Sequence, residues 1–265
     1  MASRVLKAVG GSARFRSKIL TSILLPGMFL CYLKAEDDTF SLDFAHFGSG
    51  PAGGLELITE LTLINPSSQK AEEVKVEFFN QDGTPNSVKV EGEATNSITL
   101  SVDAESGRRL GVESADESLR VGWIRVSSPI ALGGVIQFKY VDASAGHLQT
   151  ETALLPSAAG RKPLTFIEGA AAGIAIAVAN PSQDLTIDIV VSIPLEGAAL
   201  KVPISLGPRE QKAKFLSELH PLVVGASALR GTLKVEVQGG EDVVIGTVLK
   251  LSEAGLTTFP LVVAP

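Results

Sequence analysis

The chain has few residues with which to do chemistry. It holds one cysteine, one tryptophan, two tyrosines and three histidines in 265 residues, and aromatics make up only 5%. Cys31 has no second cysteine to join, so no internal disulfide can form. His46, His147 and His220 are far apart, and no HExxH, CxxC, Walker loop or Gly-x-Ser-x-Gly phrase occurs. The sequence therefore assigns no catalytic residue, no cofactor and no metal. Asn80-Gln81-Asp82-Gly83 looks superficially like a calcium loop but lacks the further acidic ligands and the closing glutamate. Glu113, Asp116 and Glu117 read as a solvated charged loop. With few aromatics, the cores must be built from Val, Ile, Leu and Ala, a bias that favours strands.

Acid is missing from the first 35 residues, which carry six of the 23 basic residues and none of the 29 acidic ones. A long apolar run is missing too. The longest, residues 19–33, would rise about 22 Å as a helix, short of a ~30 Å hydrocarbon core, and Pro26-Gly27 interrupts it. A basic flank before a short apolar run predicts a secretory signal cleaved after Ala35. The alternative is an uncleaved N-terminal anchor with its basic flank held inside. Either way the protein is expected to be exported, secreted or in the cell envelope, and to touch a membrane only through residues 19–33. Met28-Phe29-Leu30 lacks the small residues that lipid attachment at Cys31 would need. Without residues 1–35 the net charge falls from −6 to −12, which argues against nucleic acid and anionic membrane as partners.

What is present is a repeat. Leu61-Thr62-Leu63-Ile64-Asn65-Pro66-Ser67 recurs as Ile174-Ala175-Ile176-Ala177-Val178-Ala179-Asn180-Pro181-Ser182. Each copy is a strand stopped by proline, with asparagine and serine closing a turn, so Asn65, Pro66, Ser67, Asn180, Pro181 and Ser182 are structural turn residues. Alternation at Val74, Val76 and Phe78 matches Ile187, Ile189 and Val191. Gly122 to Val126 matches Gly231 to Val235, and the strand from Ala131 matches that from Val244. Val88 to Val102 reads as a continuing meander, and Phe215 to Val224 as a short helical plug whose His220 has a capping role. The prediction is an all-β chain of two tandem Ig-like antiparallel β-sandwich domains: a leader 1–35, a first sandwich 36–156, a linker 157–162 and a second sandwich 163–265. The short linker limits the angles between them and predicts a semi-rigid rod.

Phe44-Ala45-His46-Phe47, the glycine loop Gly48 to Gly54, Asn65-Pro66-Ser67 and Val121-Gly122-Trp123-Ile124-Arg125-Val126 resemble a group of secreted bacterial proteins built from tandem Ig-like β-sandwich repeats. The resemblance covers most of residues 40–265. The second copy departs from it, lacking the His and the Trp. It implies an architecture and no activity. The expected function is a non-enzymatic secreted or cell-surface module with a structural, adhesion or assembly role, its partner an unknown protein or glycan. The alternative is a carbohydrate-binding module that stacks sugars on Trp123, Tyr140 or Phe47. Trp123 is expected as a core anchor or, in that alternative, an exposed platform. His46 is a weaker binding candidate, expected on the polar phase of its strand.

Overall fold

The computed structural model describes Leu33–Lys34 and residues 39–263, apart from 117, 227 and 253–254. The predicted leader cleavage site, Cys31 and Glu117 lie outside the described residues. The fold is all-β, and every strand pairing is antiparallel. In chain order the first half contains β1 (Leu33–Lys34), β2 (Phe40–Ala52), β3 (Leu55–Asn65), β4 (Ala71–Asn80), β5 (Val88–Val90), β6 (Glu93–Thr95), β7 (Ser97–Val102), β8 (Ser106–Ser114), β9 (Arg120–Ser128), β10 (Gly133–Asp142) and β11 (Leu148–Leu154). The second half contains β12 (Pro163–Gly169), β13 (Ile174–Ala179), β14 (Ile187–Pro194), β15 (Ala199–Leu206), β16 (Gln211–Phe215), helices α1 (Leu216–Leu219) and α2 (Pro221–Val224), then β17 (Leu229–Gln238), β18 (Ile245–Ser252), β19 (Gly255–Pro260) and β20 (Val262–Val263).

The two halves share one topology. In the first, β7-β4-β9-β2 form one layer and β8-β3-β10-β11 the other; in the second, β15-β14-β17-β12 face β16-β13-β18-β19. Each half closes on its own core, the first around Phe44, Phe47, Phe78 and Leu61, the second around Ile176, Ile189, Val235 and Val248. The alternation read from the sequence puts these side chains inward, as a half-buried strand requires. The first half adds the β5–β6 hairpin, which crosses to pair with β8. The expected meander is thus wrong at Val88: the chain leaves β4 through a turn at Asn80–Gly83 and changes layer.

Long β2 belongs to both layers, pairing with β9 along most of its length and with β3 at its end. Phe44 lies opposite Ile124 and Phe47 opposite Gly122, so three steps on β2 face two on β9. That is a β-bulge. It turns both phenylalanines into the core and sets Ala45 on the opposite face.

The Asn-Pro-Ser phrase builds the same knot twice. Asn65 is 1% exposed, and its Nδ2 donates to the carbonyls of Gln69, Val102 and Asp103, while Oδ1 accepts from the Ser67 N–H. Asn180 repeats this with Leu185, Leu206, Gly207 and the Ser182 N–H. The serine carbonyl then accepts the N–H of a left-handed residue, Glu105 (φ 51°) in the first half and Arg209 (φ 57°) in the second. A buried amide keeps its hydrogen bonds or costs stability, which makes asparagine specific here.

Candidate functional site: the seam between the halves

The strand β9 has apolar residues on both faces. Ile124 and Val126 point into the first core, while Trp123 faces the second half. Trp123 is fully buried, with Phe79, Ala45, Ala179 and Ile245 around it. Its indole stacks on Phe79 with centroids 4.5 Å apart, and Nε1 donates to the Arg209 carbonyl at 2.7 Å. The Arg209 guanidinium lies 5.0 Å over the Phe79 ring, and that of Arg125 lies 5.2 Å from the Trp123 ring. Arg125 is held by a bidentate pair with Asp43, which is 5% exposed. These contacts surround the indole with aromatic and cationic surface and leave its only donor satisfied.

Gln211 closes the seam beside it. Its Nε2 donates to the carbonyls of Ala45 and Gly122, and its backbone N–H donates to the Gln81 carbonyl. The bulge frees the Ala45 carbonyl for this bond. Gly122 has no alternative residue, because a Cβ there would sit 1.8 Å from the Phe79 carbonyl oxygen. The connecting segment is also pinned: Ser157 N–H donates to the Asp43 carbonyl, Gly160 bridges Val244, and the Val237 N–H donates to the Arg161 carbonyl. On the far flank, Thr258 Oγ1 donates to the Ala153 carbonyl, joining β19 to β11.

The sugar platform on Trp123 is corrected by this geometry. A residue with no exposed surface cannot stack on a ligand, and its ring is already occupied by Phe79. Tyr140 lies elsewhere, half-buried on β10 against the first core, where burial raises its phenol above the usual range. It pairs with Leu57 and Thr150 in the layer opposite Trp123, so the two aromatics make no common surface. His46 is also corrected. It sits in the bulge and is only partly exposed, with its ring 5.7 Å from Phe138 and its buried Nδ1 without a partner among the described residues. Burial lowers its pKa to about 4, which keeps the imidazole neutral. His220 accepts the Leu222 N–H and caps α2, while His147 is exposed.

Among the described residues no three His, Cys, Asp or Glu side chains converge as metal ligands do. Asn65, Pro66, Ser67 and their second-half equivalents stay at the knots, and only the second knot reaches the seam, through Arg209 and Gln211. Sequence reading passed over Phe79, Arg209 and Gln211. The available signal was the double-sided apolar pattern of β9, which calls for a partner on its outer face. Comparison with known proteins finds no relative. No family model matches the chain, and no curated protein or solved structure is significantly similar to it.

Proposed function

We propose that the chain is a non-enzymatic, exported protein of two tandem Ig-like β-sandwich domains, approximately 36–156 and 163–265, acting as a structural, adhesion or assembly module outside the cytoplasm. One observation carries this reading. Buried polar and aromatic groups, namely Trp123, Gln211 through its Nε2, Asp43 with Arg125, and Asn65 and Asn180, are engaged in holding strands or halves together. Such a chain offers a fixed surface to a protein or glycan partner, and its net negative charge disfavours nucleic acid. Impermeant amine labelling of intact native cells tests export: labelling of the chain at the level of known surface proteins is expected, and protection until the cells are lysed overturns the reading.

A second reading, retention of the N-terminal segment as an anchor, is favoured by β1. Leu33 pairs with Ser41 and Lys34 with Phe40, and cleavage after Ala35 would remove this pairing. No helix among the described residues is long and apolar enough to cross a membrane, so an anchor would have to use residues 19–33. The mass of the chain isolated from its cells separates the two: a start at Glu36 supports cleavage, and a chain that retains residues 1–35 supports the anchor.

A further inference from the structure

The seam joins a projecting turn of the second half to a receiving face of the first, and each of these has an equivalent that the described residues leave exposed. The projecting turn runs from Pro208 to Gln211 through left-handed Arg209. Its equivalent, reached from the first asparagine knot and held by the same serine-carbonyl bond, is Asp103–Gly107 with left-handed Glu105. There Asp103, Ala104 and Glu105 are exposed.

The receiving face is Phe79, Trp123 and the turn at Gly83 (φ 82°), where a Cβ would stand 2.3 Å from the Pro208 carbonyl oxygen. The repeat register places Pro194, Thr232 and the turn at Gly197 (φ 84°) in the corresponding positions. A Cβ at Gly197 would meet nothing within 4 Å among the described residues, which leave this turn open. Phe166 pairs with Thr232 on the same face and is 55% exposed, a large apolar side chain left in solvent. The next row across the face holds Lys201, Ser192 and Lys234, both lysines exposed.

We propose that the free turn of one copy docks on the free face of another, so that the chain associates head to tail with itself. The occupant follows from continuity with the seam: the same backbone devices meet there already, within one chain. Charge beside the docking row agrees, because the turn brings Glu105, and Asp103 3.9 Å from Lys70, to the row carrying Lys201 and Lys234, with Glu236 one row farther away. Two different surfaces meet, so the joint is heterologous and repeats from copy to copy instead of closing as a two-fold dimer. Thr232 and Gly107 stand where the seam has Trp123 and Gln211, which makes the joint weaker than the seam and reversible. This inference deepens the assembly reading above and rests on it for the role alone.

The test uses the full chain with Cys31→Ser. One population carries Glu105→Cys and the other Thr232→Cys, and they are mixed under mild oxidation at low ionic strength. A disulfide-linked pair made of one of each is expected. Moving the first thiol to the opposite end of the half, with Ala145→Cys, is expected to abolish it. Phe166→Asp, at an exposed position that does not threaten folding, is expected to weaken association about tenfold in sedimentation. Glu105→Lys is expected to weaken it alone and to regain it with Lys234→Glu. Linking that is equal from Ala145→Cys, or a single monomeric species unaffected by any of these changes, overturns the proposal. Surface labelling of the same variants reports export separately, so loss of association with intact export counts against the joint and not against the proposed location.

Discussion

Asn65 and Asn180 show how much one side chain can hold. Each satisfies three carbonyls and one N–H at a point where a strand ends and a hairpin from the other layer returns. Alanine at either position would leave buried carbonyls without donors, and a loss of roughly 2–4 kcal/mol in urea unfolding is expected. Aspartate, which fits the space but presents acceptors to acceptors, is expected to be worse than alanine. His46 sets a second residue-scale expectation. Its folded pKa lies near 4, below the ordinary value of 6.5, so between those limits the unfolded chain binds the extra proton. Stability is then complete above about pH 6.5 and falls as the pH drops toward 4, by up to about 3 kcal/mol. Urea midpoints across that range should show the slope, and His46→Phe should remove most of it.

At the scale of the element, two bulges decide what could be read in advance. Alternation revealed the strands around Leu61, Val76 and Ile124, and the repeated Asn-Pro-Ser phrase disclosed two copies, because period and turn chemistry are written locally. The bulge in β2 was not legible. Phe44-Ala45-His46-Phe47 reads as simple alternation with a polar His46, and only the pairing with Ile124 and Gly122 shows the inserted residue. A second bulge separates Ala71 from Val74, with Glu73 left-handed at φ 55°. Counted from the asparagine knots, it makes Val74 the equivalent of Ile189, where alternation had suggested Ile187. Trp123 was legible as a buried anchor but not as a seam residue, since its neighbours Arg209 and Gln211 are about 90 residues away in sequence. Gly122 belongs to this scale as well. Gly122→Ala would drive a methyl into the Phe79 carbonyl, and a loss of at least about 3 kcal/mol is expected by chemical denaturation.

At the scale of the molecule, the seam makes the two halves a coupled pair. The only tryptophan lies inside it, so tryptophan emission excited apart from the two tyrosines reports the seam. Short-wavelength emission protected from acrylamide is expected, and Gln211→Ala should red-shift it before either core unfolds. Trp123→Ala removes the stack and the bond to Arg209, and is expected to cost about 3–5 kcal/mol and to split one unfolding transition into two.

The pinned connection between the halves carries a different consequence. Arg161 and Lys162 are exposed, yet Gly160 and Arg161 are tied by backbone bonds to Val244 and Val237. A protease needs several residues of free extended chain, so trypsin can cut the Arg161–Lys162 bond only after those ties open. Nicking there becomes a clock for local opening: slow in the native chain, and faster by the factor through which a seam mutation raises the open population.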